Sequence, residues 1–268
     1  MKSQAREIVR KTATPQQARL HLQEYLQHLI LRQLFEQKIL GQWIFHGGTA
    51  LRIIYNVNRF SEDLDFHLPA PETTFSLNDP ISTLCKHLAL QGYRISEPKI
   101  EKKTVQSVFI DFEDLLSEFG LSPHRNAKLS IKIEVDTSPP TGFQFEKVAI
   151  NRFLPFSVNV HDLPTFLSGK MHALLQRPYI KGRDYYDLIF LLIRWPNIIP
   201  NITYLRNALA QTHYQGKEVT IQNWRNIIIE LGSTTDWKKV VKDVEPFLES
   251  EADWQLLTFD NLRNLLKS

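Results

Sequence analysis

The sequence is poor in cysteine and lacks long hydrophobic runs, and both absences exclude classes of protein. Its single cysteine, Cys85, cannot form an internal disulfide bond. Such cysteine usage is typical of a reducing compartment, so we expect a cytoplasmic protein. The longest apolar runs, such as residues 188–193, are far shorter than the roughly 20 residues of a membrane-spanning helix. The polar N-terminus has no apolar segment of the signal-peptide type, which predicts that the chain is not exported.

The chain also lacks a strong excess of one charge. It has 32 Lys and Arg against 29 Asp and Glu, a net charge of +3 and a pI of about 8.8. This balance permits a polyanionic partner such as RNA without requiring one, because local clustering of Lys and Arg decides such binding. Hydrophobic residues make up 43% of the chain, which is ordinary for a globular protein with a substantial core.

Hydrophobic periodicity predicts an α+β protein whose C-terminal part is helical. The alternation of Leu129, Ile131, Ile133 and Val135 with polar residues predicts a half-buried strand over 128–136. Further strands are predicted at 60–68, 94–100, 105–112, 142–150 and 156–160. Helices are predicted at 15–40, where Thr14 and Pro15 form a start signal, and at 49–55, 78–91, 163–177, 183–194, 201–212, 220–231, 237–248 and 260–266.

A glycine pair stands sixteen residues before two aspartates in an Asp-x-Asp arrangement. Gly47 and Gly48 suit a tight turn whose amides approach a phosphate, although such pairs are also common in plain turns. A P-loop is excluded because no Gly-Lys-Ser/Thr ending follows. Asp63 and Asp65 would lie on the polar face of the 60–68 strand and would repel each other unless a cation lay between them. Carboxylate pairs of this kind suit Mg²⁺.

Two further groups of residues carry charge that this chemistry could use. Glu134 and Asp136 lie on the polar face of the 128–136 strand, and either could add a third carboxylate; a surface ion pair between Lys132 and Glu134 is the alternative. On the predicted helix 163–177, Lys170 and Arg177 share one face. Arg183, Asp184 and Asp187 follow, and a helix hairpin with surface salt bridges, including a pair between Arg183 and Asp187, is the alternative there.

In this order the blocks resemble the nucleotidyltransferases of the AbiEii/AbiGii family, which are the toxins of type IV toxin–antitoxin pairs. The resemblance spans about residues 40–190. It rests on four blocks of residues: Gly47-Gly48-Thr49-Ala50-Leu51-Arg52, Arg59-Phe60-Ser61-Glu62-Asp63-Leu64-Asp65-Phe66, Lys170-x-x-Ala173-x-x-x-Arg177 and Arg183-Asp184-x-x-Asp187-Leu188.

The resemblance implies a fold like the nucleotidyltransferase domain of DNA polymerase β, which uses Mg²⁺ and a nucleoside triphosphate (NTP). It implies that Asp63 and Asp65 bind metal, together with Glu134 or, as the less favoured alternative, Asp136. Asp63, Asp65, Glu134, Lys170 and Asp187 would form the catalytic group. The nucleotide would be bound by Gly47, Gly48, Thr49, Arg52, Ser61, Lys170, Arg177, Arg183 and Asp184. His46 beside the glycines is a candidate base, although a structural role is favoured for it.

The expected organisation is an N-terminal helical segment at 1–40, a nucleotidyltransferase core at 41–160 and a helical C-terminal domain at 161–268 that completes the active-site cleft. The expected function is transfer of a nucleotide to an acceptor hydroxyl such as the 3′ end of tRNA. The expected protein partner is an antitoxin of winged-helix type, and no membrane association is expected. Two alternatives remain: transfer of a nucleotidyl or phosphoryl group to a protein or small molecule, and a degenerate nucleotide-binding module that acts through protein contacts.

Overall fold

The computed structural model describes residues 2–267 and has seven strands and eleven α-helices over that range. The strands are β1 (Ile44–His46), β2 (Leu64–His67), β3 (Arg94–Ile95), β4 (Val105–Glu113), β5 (Leu129–Asp136), β6 (Phe145–Ile150) and β7 (Phe156–His161). The helices are α1 (Lys2–Arg10), α2 (Pro15–Glu36), α3 (Gly47–Tyr55), α4 (Asn78–Leu90), α5 (Leu115–Glu118), α6 (Leu163–Gln176), α7 (Gly182–Arg194), α8 (Ile202–Gln211), α9 (Trp224–Thr234), α10 (Trp237–Val244) and α11 (Phe259–Lys267). The predicted α+β class is confirmed.

The strands form one mixed sheet in the order β3-β4-β5-β2-β1-β7-β6. At its centre β2 runs parallel to β5 and antiparallel to β1, and β1 runs parallel to β7. The long strands β4 and β5 pair antiparallel over eight residues. Strands β1, β2 and β5, which carry the predicted site, are therefore adjacent in the middle of the sheet.

One face of the central strands is apolar and completely buried. Phe45, Leu64, Phe66, Ile133 and Val135 are each at most 1% exposed. Phe45 and Phe66 stack across β1 and β2 with their ring centroids 5.0 Å apart. Because side chains alternate along a strand, burial of these residues directs Asp65 and Glu134 to the opposite face.

Helix α2 is buried on nearly all sides, and it contacts α1, α4 and β5. The predicted start signal is confirmed: the Thr14 side chain accepts a hydrogen bond from the Gln17 amide at 3.2 Å, and Pro15 is the first helical residue. The helix ends at Glu36, four residues before the predicted end, and Lys38 adopts a left-handed conformation. Its buried stretch also contains polar residues, among them Gln23 and Gln27, whose side chains bond to backbone carbonyl groups of residues 61 and 62.

Several predicted elements are shorter in the structure, each for a local reason. The strand predicted at 60–68 covers only Leu64–His67, so Asp63 precedes the strand. The strand predicted at 94–100 ends at Ile95, and the one predicted at 142–150 begins at Phe145 after Gly142 in a left-handed conformation. Helix α10 ends at Val244, because Pro246 cannot continue it. The polar helix α1 and the four-residue α5 were not predicted.

The chain divides into two compact units. The first unit contains the chain up to residue 50 together with residues 60–139 and 147–160. The second contains residues 51–59, 140–146 and the chain from residue 161 onward. The three-part division into 1–40, 41–160 and 161–268 stays a prediction. No helix between residues 2 and 267 is both long enough and apolar enough to cross a membrane.

We expect the central strand β5 to be a main source of stability in the first unit. Ile133 is fully buried, so Ile133→Ala should lower the free energy of unfolding by about 2–5 kcal/mol through lost apolar contact and a residual cavity. Val105 on β4 is 41% exposed, and Val105→Ala should cost less than about 0.5 kcal/mol. Denaturant unfolding of both variants checks this, and equal losses would contradict the placement of Ile133 in the core.

Candidate nucleotide and metal site

The glycine turn lies directly against one of the predicted metal ligands. Gly47 begins α3 with a φ of +76°, and a Cβ atom on it would lie 2.1 Å from Asp65 Oδ2. A side chain is therefore excluded at this position by both backbone conformation and space. Gly48 follows in the first turn of α3, where backbone amides are available for an anion. The structure thus brings the glycine pair and Asp65 together within the first unit.

The backbone just before β2 is held by three buried side chains. Gln27 Nε2 donates to the carbonyl oxygens of Ser61 and Glu62, both at 2.9 Å, and Gln23 Nε2 donates to Glu62 at 3.4 Å. Thr49 Oγ1 donates a short hydrogen bond to the carbonyl oxygen of Asp63. These bonds use only carbonyl groups of residues 61–63. They fix the backbone that presents the side chains of Ser61 and Asp63.

Strand register places the carboxylates on adjacent strands. Asp65 on β2 pairs with Glu134 on β5 and with His46 on β1. Asp136 pairs with His67, one step further along the same face, or about 6–7 Å away. Asp136 also accepts a hydrogen bond from the Ser138 amide at 2.9 Å. The register therefore favours Glu134 over Asp136 as the third carboxylate.

Electrostatics show that the carboxylates crowd one another. Burial, then the charges of Asp65 and Glu134, raise the pKa of Asp63 to about 6. Lys132 opposes this rise, and its ammonium group lies 2.7 Å from Glu134 Oε1. The ion pair between Lys132 and Glu134, given above as the alternative, thus exists, and Lys132 only partly offsets the repulsion that Asp63 experiences.

The donor set fits a divalent cation that shares its coordination with a substrate. Mg²⁺ prefers oxygen ligands, and it is usually held by one or two carboxylates together with water and substrate phosphates. Asp63 and Asp65 supply two crowded carboxylates, and Glu134 is close enough to raise the pKa of Asp63. Among the side chains described, no group of three or more His, Cys, Asp and Glu has the arrangement of a metal site. The described residues thus offer part of a coordination shell and no complete protein cage.

Two histidines lie beside these carboxylates. The rings of His46 and His67 are 5.3 Å apart, and His67 Nδ1 lies 2.7 Å from the Leu68 carbonyl oxygen. Burial, and then the charge of His46, lower the pKa of His67 to about 3. His67 is therefore neutral at physiological pH and packs as a structural residue. The role of His46 as a base stays a prediction.

In the second unit, Lys170 is held by two buried aspartates. Its Nζ atom lies 2.6 Å from Asp187 Oδ2 and 3.0 Å from Asp184 Oδ1. Arg59 binds both oxygens of Asp187 in a bidentate pair, each at 2.6 Å. Asp187 and Arg59 are at most 2% exposed. Since Asp187 is completely enclosed by these two cations, it positions Lys170 and is not open to a substrate.

Asp184 links this group to Arg177. Arg177 Nε lies 3.2 Å from Asp184 Oδ2, and about a third of the Arg177 side chain is exposed. Burial raises the pKa of Asp184, but Lys170 and Arg177 outweigh it and hold this pKa below its ordinary value. Asp184 is therefore ionised, and it contacts both the buried Lys170 and Arg177, which reaches solvent. Of the predicted phosphate-binding cations, Arg177 is the more accessible.

Two predicted nucleotide-binding residues have other contacts. Arg52 is 4% exposed, donates to the Val57 carbonyl oxygen at 2.9 Å and forms a short ion pair with Glu249. Arg183 does not pair with Asp187 as predicted, because Asp187 is occupied by Arg59 and Lys170. The Arg183 guanidinium lies 4.2 Å from the Phe247 ring centroid, and its Nε is 3.8 Å from Asp243.

Sequence analysis missed three residues that the structure brings into these groups. Arg59 stands in the second motif block, but nothing in the sequence shows that its partner is Asp187. Gln27 interrupts an apolar helix, which is a signal that its amide has a buried partner. Lys181 lies near Arg177 and Asp184, and it has no signal in the sequence beyond its place between Arg177 and Arg183.

Comparison with solved structures defines the class of the protein as a nucleotidyltransferase-like fold. The structure of JHP933 from Helicobacter pylori matches with a TM-score of 0.57 and 17% identity, over 91% of this chain and 90% of that one. A second H. pylori protein, assigned as a nucleotidyltransferase, matches with a TM-score of 0.54 and 15% identity, over 91% of this chain and 96% of that one. No curated protein matches the chain significantly.

The family follows from the sequence itself. The model of the nucleotidyl transferase AbiEii toxin of type IV toxin–antitoxin systems matches residues 29–261. The chain belongs to this family and is a nucleotidyltransferase, which confirms the predicted family, fold and enzyme class. The matched range includes every predicted site residue.

The effect of the close approach between Gly47 and Asp65 can be separated from the backbone strain that any side chain causes at a positive φ. Gly92 has a similar φ of +85°, but a Cβ on it would meet nothing within 4 Å. We expect Gly47→Ala and Gly92→Ala each to lose about 1–2 kcal/mol of stability through backbone strain. Only Gly47→Ala should also displace Asp65 and abolish binding of Mn²⁺, a common substitute for Mg²⁺, in calorimetry. Similar Mn²⁺ binding by the two variants would contradict the close approach.

The raised pKa of Asp63 predicts that this residue destabilises the protein at neutral pH. Its pKa is about 6 in the folded chain against the ordinary 3.8, so the folded chain binds more protons between these values. Stability should therefore fall as the pH rises through this window. In metal-free buffer Asp63→Asn should have a higher Tm than the wild type at pH 7.5, and the gain should shrink towards pH 4. A lower Tm of Asp63→Asn at pH 7.5 would contradict the crowding.

Proposed function

We propose that this toxin uses Mg²⁺ to transfer a nucleoside monophosphate from an NTP to an acceptor hydroxyl, which loses its proton, with release of pyrophosphate and with the 3′ end of tRNA as the acceptor. The observation that carries the proposal is the crowding of Asp63, Asp65 and Glu134 beside the glycine turn. Ionised carboxylates at this spacing are stabilised by a divalent cation, and a phosphate can complete its coordination. The small positive net charge is compatible with a polyanionic acceptor.

In the proposed mechanism Asp63, Asp65 and Glu134 hold the metal. When bound, Mg²⁺ lowers the pKa of the acceptor hydroxyl and neutralises charge on the α-phosphate. The amides of Gly48 and Thr49 at the start of α3 bind phosphate oxygens, and Ser61 donates its hydroxyl to them. Thr49 and Gln27 act as positioning residues, because their side chains bind the carbonyl groups that precede the metal ligands.

Lys170 supplies a fixed positive charge for the phosphates of the NTP. Burial alone lowers the pKa of Lys170, but Asp187 and Asp184 outweigh it, so the ammonium group stays protonated. Asp187 and Arg59 act as positioning residues, since their bidentate pair fixes the carboxylate that Lys170 contacts. Arg52 is assigned a positioning role as well, because its guanidinium binds the carbonyl group of Val57.

Transfer to tRNA would block translation, which accounts for toxicity. The type IV family implies an antitoxin partner, and we propose that it is a winged-helix protein. NTPs and tRNA are both cytoplasmic, and the free thiol of Cys85 agrees with a reducing compartment, so we propose that the toxin acts in the cytoplasm.

The decisive experiment incubates the purified protein and total RNA with α-labelled or γ-labelled NTP, with Mg²⁺ or with a chelator. We expect label from the α-phosphate, and not from the γ-phosphate, to appear in the tRNA fraction only when Mg²⁺ is present. Label from the γ-phosphate in any fraction would instead indicate a phosphotransferase. Label from the α-phosphate in protein would indicate a different acceptor.

Three variants on the same sheet face test the assignment of the metal ligands. Asp65→Asn and Glu134→Gln should each reduce transfer by about 10²–10³-fold, the range for losing one group that stabilises developing charge. Asp136→Asn, one step further along β5, should stay within about tenfold of the wild type. Full activity of Glu134→Gln together with an inactive Asp136→Asn would show that Asp136, and not Glu134, is the third metal ligand. Full activity of Asp65→Asn would refute the metal site.

A further inference from the structure

The buried charges of the second unit do not balance. Arg59, Lys170, Arg177 and Lys181 form one group with only two carboxylates, Asp184 and Asp187. Both carboxylates are at most 3% exposed, and each already contacts two of the cations. Among the described residues, the cations of this partly buried region therefore outnumber the carboxylates that contact them. Such an excess is costly unless an anion from outside the chain joins it.

Lys181 is the least compensated member of this group. It immediately precedes α7 and is half-buried. Within residues 2–267, no hydrogen bond or ion pair holds its ammonium group. Burial, followed by the charge of Arg177, lowers the pKa of Lys181, and Asp184 is the acidic side chain that opposes this. A lysine that serves only solubility would extend into water, where its charge is hydrated.

A small cavity lies where Lys181, Arg177 and Asp184 meet. Its volume is about 130 Å³, and Tyr179, Tyr185 and Thr235 also contribute to its lining. One water molecule takes about 30 Å³ in the liquid, so the cavity has room for about four. That volume suits one small polyatomic group. The Tyr185 hydroxyl is bonded to Thr235 at 2.6 Å, so the polar groups left for a ligand are mainly cationic.

We propose that Lys181 and Arg177 bind one phosphate group in this cavity. A phosphate dianion compensates the excess positive charge, and Arg177 and Lys181 offer a planar guanidinium and a point-like ammonium group, both of which commonly bind phosphate. Asp184 contacts Arg177 at its Nε atom, and Arg177 Nη1 donates to the Tyr179 hydroxyl at 3.2 Å, which leaves the second terminal nitrogen of the guanidinium group for the ligand. The phosphate belongs either to the NTP or to the backbone of the RNA acceptor. Only this choice of source rests on the proposed function.

The first test needs no catalysis. Lys181→Gln is compared with Lys238→Gln, which removes the same charge from an exposed position of the same unit. Without phosphate, Lys181→Gln should be at least as stable as the wild type, because it relieves repulsion between like charges. Inorganic tripolyphosphate should raise the Tm of the wild type and of Lys238→Gln, and this rise should fall by about half or more in Lys181→Gln.

Two results would overturn the site. One is a loss of stability in Lys181→Gln without phosphate, which would mark Lys181 as a structural residue. The other is an equal rise in Tm with tripolyphosphate in all three proteins. Lys181→Arg keeps the positive charge and should retain most of the rise in Tm with tripolyphosphate. This control separates a folding defect of Lys181→Gln from loss of the phosphate site.

The second test identifies the source of the phosphate. If it belongs to the NTP, Lys181→Gln should raise the KM for NTP by about tenfold, the effect of one lost charged hydrogen bond, while RNA binding is unchanged. If it belongs to RNA, the slope of log K against log salt should fall by about 0.7–0.9, which corresponds to one phosphate contact. If Lys181→Gln matches Lys238→Gln both in the KM for NTP and in the salt dependence of RNA binding, the proposal is overturned. Absence of nucleotide transfer in the wild type would refute the proposed function but leave the first test valid.

Discussion

Crowding of like charge is the main constraint on two clusters of side chains in this protein, the carboxylates of the first unit and the cations of the second. In the first unit Asp63 and Asp65 repel each other and are only partly offset by Lys132. In the second unit the cations outnumber the carboxylates that hold them. Burial and like charge disfavour the charged forms of Asp63 and Lys181 in the folded chain. In the first unit, the free energy that keeps these side chains in place comes from the apolar contacts of α2 and of the buried sheet face. In the proposed function, bound ligands supply the missing counter-charge.

The protein positions these charges through side chains that bind backbone or buried groups. Gln27 and Thr49 bind carbonyl groups of residues 61–63, and the pair of Arg59 and Asp187 forms a rigid base for Lys170. The bonds from Gln27 and Thr49 fix the backbone beside Asp63 without using the carboxylate oxygens of Asp63, whereas Lys170 is held through its own ammonium group. A group that is fixed before the substrate arrives loses little entropy on binding.

Sequence alone predicted the parts of the fold and site that depend on local pattern. The alternation in β5 identified a strand with Glu134 on its polar face, and Thr14 with Pro15 identified the start of α2. It could not predict that β2 begins only at Leu64, because that boundary depends on hydrogen bonds from Gln27 and Thr49. It also could not predict that Asp187 pairs with Arg59 in place of Arg183, since that choice is made by tertiary packing across 128 residues of chain.

The interleaving of the two units has a consequence for the newly made chain on the ribosome. Residues 51–59 belong to a unit whose remaining parts are 140–146 and the chain from 161 onward. Arg59 therefore leaves the exit tunnel long before Asp187 is translated, and it must stay hydrated until its carboxylate arrives. Premature termination before residue 187 leaves both Arg59 and Lys170 without that carboxylate.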